Sequence, residues 1–328
     1  MSRKLPRIDR SKVRTTSARK RKSKVKIDDE ARPYRAGASF SEFLAGLPGI
    51  LGAADLKRSI EAGVKAHQRG KTLLWGFGAH VIKVGLAPVV TDLLERGLIS
   101  GILMNGAGCV HDLELAMMGR TSEDVAEALD DGSFGMAAET AEQLNRAIAE
   151  GFAEDLGMGA AVGREILDGK YPHKDRSILA TAARLEVPVT VHVAIGTDVH
   201  HMHPSADGAA LGATSHRDFE TLTALVSTLE GGVYMNVGSA VILPEVFLKA
   251  LALARNLGHE VQRFTTVDVD FIRHYRPTVN VVERPTRLGG TGLSLTGQHE
   301  ILVPLLAAGL IEGIAGNVAG GDGKPQRR

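Results

Sequence analysis

Residues 72–118 read TLLWGFGAHVIKVGLAPVVTDLLERGLISGILMNGAGCVHDLELAMM, and this stretch decides the fold. Two short apolar runs, at 72–75 and 101–104, each end in a turn of glycine and other small residues. Between them, residues 82–97 carry apolar side chains at helical spacing. A strand, a helix and a second strand with glycine after both strands are typical of a parallel sheet that holds a nucleotide across its carboxyl edge.

The rest of the chain continues the alternation of strands and helices. It predicts an α/β protein with a doubly wound, mostly parallel sheet of the Rossmann-like type. No internal repeat or linker interrupts residues 39–320, so we expect a single nucleotide-binding domain there and a disordered tail at 321–328. The further segments predicted to be extended are 187–193, 232–238, 264–269 and 279–282.

Composition narrows the class of protein. The 328 residues are 44% hydrophobic, but no apolar run reaches the roughly 18–20 residues that a membrane helix needs. The start of the sequence has no apolar core of the kind found in signal peptides. Cys109 is the single cysteine, which excludes an intrachain disulfide framework and fits a reducing compartment. We therefore expect a cytoplasmic protein.

Residues 1–38 are predicted to form a basic, disordered N-terminal arm. Residues 1–35 hold 14 lysines and arginines against 4 acids, a net charge of +10, and the remaining chain carries −9. The arm has too little apolar surface to order itself. It could contact nucleic acid or an acidic partner, or it could be a solvated tail packed on its own acidic body; a targeting peptide is a weaker alternative.

The two small-residue turns supply candidate cofactor contacts. Glycines bring backbone amides close to a phosphate or ribose without interference from side chains, although tight packing alone would also require them. Asp112 follows the second turn and could bind a ribose hydroxyl or cap the helix over 113–118. The candidate contacts within the turns are Gly76, Gly78, Ala107 and Gly108.

Histidines gather where strands are predicted to end. His80 and His111 follow the two glycine turns, so either could act as a general base at the carboxyl edge or bond a backbone carbonyl. The loop after residue 193 contains His200, His201 and His203. If this loop is extended, His201 and His203 share one face, and Asp198 and His200 share the other. Either pair, together with His192 or His216, could bind zinc or iron. His201 is also a candidate base, and all three could instead be structural.

Four segments together resemble the deoxyhypusine synthase family, in order and in spacing. They cover a glycine turn, a second turn followed by an acid, a proline-valine strand leading to threonine-aspartate, and an apolar C-terminal helix. In this sequence the four segments lie at 76–82, 105–112, 187–198 and 301–306.

The resemblance implies an NAD-binding transferase or oxidoreductase that assembles as a homotetramer, with sites between subunits. Asp198 stands where the family has an aspartate that contacts the adenosine ribose of NAD. Asp112 stands where the family has an acid that binds a ribose hydroxyl or the nicotinamide side. His299 and Glu300 lie at the family's nicotinamide-side loop.

One departure from the family bears directly on the reaction. The family forms a covalent imine through a lysine before its last strand, but residues 280–290 contain no lysine. Arginine stays charged and cannot replace an amine nucleophile. We therefore expect an NAD-binding enzyme that acts on an amine or alcohol rather than a true deoxyhypusine synthase. The alternatives are metal-assisted hydrolysis or lysis by the His200–His203 loop, and a non-catalytic nucleotide-binding protein whose arm binds nucleic acid.

Overall fold

The computed structural model describes residues 5–316, which contain a six-stranded parallel sheet. The strand order is β3-β2-β1-β4-β5-β6, and every neighbouring pair is parallel. The predicted doubly wound α/β fold is confirmed, with a sheet that is parallel throughout. The predicted tail at 321–328 lies outside the described residues. The strands are β1 (Leu73–Phe77), β2 (Gly101–Asn105), β3 (Val189–His192), β4 (Val233–Val237), β5 (Thr265–Asp270) and β6 (Thr291–Thr296).

Helices cover both faces of the sheet. They are α1 (Phe40–Gly46), α2 (Leu51–Gln68), α3 (His80–Lys83), α4 (Ala87–Glu95), α5 (Gly106–Met118), α6 (Val125–Asp131), α7 (Ala138–Ala153), α8 (Met158–Asp168), α9 (Ile178–Arg184), α10 (Gly208–Ser227), α11 (Ile242–Asn256), α12 (Tyr275–Pro277) and α13 (His299–Ile314). A π-helical segment occupies Thr278–Glu283, and short 3-10 turns occupy Arg10–Lys12, Ala18–Lys20, Ile27–Asp29, Lys174–Arg176 and Val199–Met202.

Alternating side chains of the strands form two cores. Trp75 and Phe77 of β1 point into the larger core, whereas Leu74 points into a second core on the opposite face. The second core is built with α10 and α11. Because both faces of the sheet are covered, its strands are almost wholly buried, as parallel sheets require.

Helices α2 and α13 pack closely on the larger core through glycine. A Cβ on Gly63 would lie 2.5 Å from Leu310 Cδ2, and one on Gly309 would lie 2.3 Å from Ile60 Cδ1. The absence of side chains at these two glycines is what allows the helices to approach. A helix from near the start of the described chain is thus joined to the last described helix.

Two local predictions are wrong. The helix expected over 82–97 is split into α3 and α4, because the chain turns at Gly85 with a φ of +81°. The segment 279–282, expected to be extended, belongs to the π-helical segment, where Val281 is buried in the second core. Apolar β-branched residues predicted a strand there, but burial in the core overrides that propensity.

The arm lies along the outside of the molecule from residue 5 to residue 28. Its side chains are exposed, and its hydrogen bonds and its one ion pair are local. Contact with the body begins at Asp29, whose carbonyl accepts from the Gly49 amide, and at Arg32, whose amide donates to the Gly46 carbonyl. That the arm is disordered and that 39–320 is one domain stay predictions. No helix within residues 5–316 has the length and apolar character to span a membrane.

Candidate functional site

The strand order reverses at the carboxyl edge of the sheet, between β1 and β4. From β1 the chain moves outward through β2 and β3, then returns to place β4 on the other side of β1. Such a switch point, here named the β1–β4 crevice, is where open α/β sheets bind ligands. Gly78 to His80 follow β1 at this point, and Gly238 and Ser239 follow β4.

Two glycines determine the shape of the crevice. A Cβ on Gly78 would lie 2.5 Å from the Gly238 carbonyl oxygen, so the ends of β1 and β4 approach only with glycine at position 78. Gly238 has a φ of +63°, and a Cβ there would lie 2.9 Å from Cε1 of His299. The candidate Gly76 does something different: it lies within β1, where a Cβ would meet the Tyr234 hydroxyl at 2.8 Å, so core packing accounts for it.

Replacing Gly238 by alanine is expected to lower the free energy of unfolding by about 2 kcal/mol, since the left-handed backbone and the contact with His299 both disfavour a Cβ. Gly258→Ala is the matched control, because Gly258 also has positive φ but no atom within 4 Å of its Cβ position. The Gly258→Ala control is expected to lower the free energy of unfolding by about 1 kcal/mol. Urea denaturation measures both, and equal losses would mean that the contact with His299 is relieved without cost.

A group of four residues lies beside the crevice: His80, Asp270, Phe271 and His299, the His299 cluster. The His299 ring is fully buried, with its centroid 5.3 Å from that of His80 and 5.8 Å from that of Phe271. Its Nε2 lies 3.2 Å from the Val269 carbonyl oxygen and 3.8 Å from Asp270 Oδ1. His80, predicted from its place after the first glycine turn, thus meets residues from the ends of β5 and β6.

The bonding of His299 fixes its tautomer. A carbonyl oxygen only accepts, so Nε2 carries the proton toward Val269, and Nδ1 keeps a lone pair. That Nδ1 is buried and has no hydrogen-bond partner in the described chain. Burial lowers the pKa of His299 below the usual value, which keeps the ring neutral. A neutral ring with a free lone pair can accept a proton.

Two acids beside this cluster were missed by the sequence analysis. Asp268 and Asp270 are 3% and 5% exposed, and neither forms an ion pair with a lysine or arginine of the described chain. Asp268 accepts a hydrogen bond from Asn236 Nδ2 at 2.8 Å, and burial raises its pKa to about 6. The sequence did contain a signal for them: two aspartates alternate with valine in the apolar run that forms β5. Buried acids without basic partners often mark functional sites.

On the other side of β1, the turn after β2 meets the loop after β3. Asn105 caps α5, and the Ala107 amide bonds the carboxylate of Asp198. A Cβ on Gly106 would lie 2.1 Å from Asp198 Oδ2, so the acid sits directly against the start of α5. Gly108 instead packs on Met104, whose sulfur a Cβ would meet at 3.0 Å. The predicted residues Ala107 and Asp198 are therefore brought together.

Asp198 faces His201 across a short gap. Asp198 Oδ2 and His201 Nε2 are 3.9 Å apart, both are buried, and neither has a hydrogen-bond partner. His201 Nδ1 accepts from the amides of Gly196 and Asp198, so Nε2 carries the proton. Burial raises the pKa of Asp198 to about 6. An acceptor and a donor thus stand side by side with unmet hydrogen-bonding capacity.

The predicted metal ligands do not converge. The loop is not extended: Val199–Met202 forms a 3-10 turn, so the alternation expected for His200, His201 and His203 does not occur. His200 is buried with its ring against His201, while His203 bonds Ser205 at the surface. Within residues 5–316, no three histidine, cysteine or acidic side chains are grouped to hold a metal ion. This donor set does not fit zinc or iron.

His111 and Asp112 turn away from the crevice. His111 Nδ1 lies 2.6 Å from the Thr121 hydroxyl, which in turn bonds Glu114. Asp112 is buried and accepts from the Ser177 hydroxyl and the amides of Ile178 and Leu179. The expected cap of 113–118 is wrong, because α5 already begins at Gly106. Asp112 joins the N-cap Ser177 in capping α9, because both of its buried carboxylate oxygens accept from donors at the start of that helix.

Removing the Asp112 carboxylate should destabilise the fold. Asp112→Ala is expected to lower the free energy of unfolding by about 2 kcal/mol, because three buried donors lose their acceptor. The control is Asp207→Ala, which removes the exposed N-cap of α10 and should cost about 1 kcal/mol. Thermal unfolding compares the two, and a smaller loss for Asp112→Ala would contradict the assignment of a buried structural role.

Comparison with known proteins supports the fold. No protein-family model matches the sequence, and no curated protein is significantly similar to it. The ternary complex of AgrE with ornithine and NAD+ superposes with a TM-score of 0.53 at 14% identity, over 80% of this chain and 33% of that chain. A conserved LOR/SDH protein from Methanococcus maripaludis S2 gives 0.50 at 16% identity, over 80% of this chain and 70% of that chain.

Membership of the deoxyhypusine synthase family, implied by the sequence, stays a prediction. A protein named as a deoxyhypusine synthase from Entamoeba histolytica has a TM-score of 0.49 at 11% identity, over 86% of this chain and 96% of that chain. The chain spans about a third of the length of the AgrE structure. What is common to these proteins is a distantly similar α/β fold.

Proposed function

We propose that this protein binds NAD across the β1–β4 crevice and oxidises or transfers a small amine. The observation that carries the proposal is the His299 cluster, which places a neutral, unpartnered histidine nitrogen beside buried carboxylates at the switch point of a parallel sheet. A true deoxyhypusine synthase is not proposed, because the lysine that the family needs is missing from residues 280–290.

The crevice fits a dinucleotide. The strand order is that of dinucleotide-binding Rossmann sheets, in which the cofactor lies across the switch point. The turns at Gly78 and Gly238 present backbone without side chains, and Asp198 with His201 offers an acceptor and a donor suited to a ribose diol. The distantly similar AgrE binds ornithine and NAD+, as its complex is described, which supports the same pairing of an amine with a dinucleotide.

The carboxylates favour an amine over an alcohol. Asp268 and Asp270 are buried acids that lack a lysine or arginine partner in the described residues, and an ammonium group would supply the missing charge. Asp270 Oδ1 accepts from the Phe271 amide at 2.8 Å, which holds the carboxylate toward the cluster. These acids would therefore bind and orient the amine.

Bound NAD+ would supply a hydride acceptor for the carbon beside the amine nitrogen. An ammonium group must first lose a proton to allow hydride transfer. His299 Nδ1 is free to take it, while Nε2 stays bonded to the Val269 carbonyl. Phe271 packs edge-on against His299 and helps to exclude water from the ring. His80, which is exposed, can pass the proton to solvent.

Binding can be tested with the chain's own fluorophore. Trp75 is the single tryptophan and is buried in β1, three residues before Gly78. Titration with NADH is expected to quench Trp75 by energy transfer to the bound nicotinamide, with NAD+ competing. Calorimetry with NAD+ gives the affinity independently. Absence of both signals at millimolar ligand would overturn the proposal.

Turnover is tested separately, by following NADH formation with diamines and amino acids and with alcohols of matched size. Activity with the amines alone is the expected result. Activity confined to the alcohols would contradict the role given to Asp268 and Asp270. We further propose that the assembly is a homotetramer, as the family resemblance of the sequence implies; sedimentation velocity tests this.

A further inference from the structure

Helix α6 is unusual in this fold because it has no buried residue. It has seven residues, with Asp124 as its N-cap and Gly132 in the left-handed region at its end. Isolated helices shorter than about 12 residues are marginal in water, and most helices in proteins depend on a packed apolar face. Val125 and Leu129 lie one turn apart and are 47% and 64% exposed. About half or more of each of these two apolar side chains is therefore open to solvent.

The surroundings of α6 are strongly acidic. Residues 121–145 contain seven acids and no lysine, arginine or histidine. The five acids in and beside the helix are exposed, and none forms an ion pair with another described residue. We call residues 121–136 the α6 surface. Its acids are Glu123, Asp124, Glu127, Asp130 and Asp131.

The arm has the complementary character. Residues 19–26 hold six lysines and arginines, and none of them forms an ion pair in the described chain. Apolar side chains lie within and after this run: Val25 is 65% exposed and Ile27 is 82% exposed. Arm and α6 surface therefore each combine exposed charge with exposed apolar groups, and the charges are opposite in sign.

We propose that the arm of one copy of this protein docks on the α6 surface of a second copy. A second copy is the occupant because residues 5–28 of the arm make no hydrogen bond or ion pair with the body of the same chain. Alternating basic and apolar side chains of an extended arm would pair with the acids while covering Val125 and Leu129. The assembly would thereby cover apolar side chains of α6 that are open to solvent in the single chain.

Cross-linking tests the pairing directly. One full-length chain carries Ser23→Cys in the arm and another carries Ala126→Cys in α6; the native Cys109 is buried and does not compete. Mild oxidation of the mixture is expected to give a disulfide-linked dimer, and to give little when Glu260→Cys replaces the α6 cysteine. A chain that carries both cysteines and closes on itself at every dilution, without forming a dimer, would overturn the proposal in favour of docking within one chain.

Charge reversal tests the chemistry. Glu127→Lys with Asp130→Lys is expected to reduce dimer yield at low salt at least about tenfold, since each reversal turns an attraction into a repulsion. Arg19→Glu with Lys20→Glu in the partner should restore it. Glu260→Lys with Glu283→Lys makes the same change of charge elsewhere and should have no effect. Equal losses in both double variants, or an arm that binds RNA regardless of α6, would contradict the proposal.

Discussion

Replacing His299 by glutamine is expected to reduce amine turnover at least about 100-fold while leaving NAD binding nearly unchanged, because a positioned base contributes about 10²–10⁴ to the rate. Glutamine can still donate to the Val269 carbonyl, so the fold keeps that bond, but the free Nδ1 lone pair is lost. Steady-state kinetics measures turnover, and quenching of Trp75 by NADH measures binding in the same preparation.

The pH profile of the wild-type protein distinguishes a base from a packing residue. Burial lowers the pKa of His299, so the ring stays neutral to a pH below the usual histidine value of about 6.5. Turnover at limiting substrate is expected to decline on the acid side with a midpoint below that value, and His299→Gln should lose this limb. His216→Gln, at an exposed position on α10, is the control. Survival of the limb in His299→Gln would assign the base elsewhere.

Asp198→Asn is expected to weaken NAD binding about 100-fold and yet stabilise the unliganded protein. Asparagine cannot accept two ribose hydroxyls as an anion does, and bonds to a charged acceptor are worth about 1.5–3 kcal/mol. The free energy of unfolding is expected to rise in this variant, because a carboxylate with an unpartnered oxygen is costly to bury. Calorimetry and urea denaturation give the two quantities.

The pH dependence of that gain follows from the pKa shift. The folded pKa of Asp198 is about 6, above the value of about 3.9 in an unfolded chain. The protonated form therefore favours folding, and stability is lost as pH rises through about 6. The gain from Asp198→Asn should be absent below about pH 4 and reach about 1–3 kcal/mol above about pH 7. Asp175→Asn, at an exposed site, should give no such trend.

Much of the fold could be predicted from periodicity. The runs 72–75 and 101–104 became β1 and β2, because buried parallel strands read as short continuous apolar segments bounded by glycine. The prediction for 279–282 was wrong because the same kind of run is ambiguous. A short β-branched run is equally compatible with a buried helical turn, and only tertiary packing decides between the two. The break between α3 and α4 was not predicted, because it depends on the positive φ of the single residue Gly85.

The candidate site was predicted in part. His80 was expected at the carboxyl edge and lies there. Ala107 and Asp198, each predicted as a cofactor contact, lie together, although their pairing was not predicted. His111 failed because it lies a turn into α5, where the helix carries it toward Thr121 and Glu114. Asp270 was missed because its neighbour His299 is far away in sequence. Contacts between loops of different strands cannot be read from local pattern.

The glycine-mediated contact between α2 and α13 has a consequence for biosynthesis. Ile60 is synthesised roughly 250 residues before Gly309, against which it packs. The apolar face of α2 therefore leaves the ribosome long before α13 has been synthesised. Pairing of distant segments is slow, and uncovered apolar surface invites aggregation. The nascent chain should therefore need chaperones until α13 has left the ribosome, and the completion of any strand should not end this need.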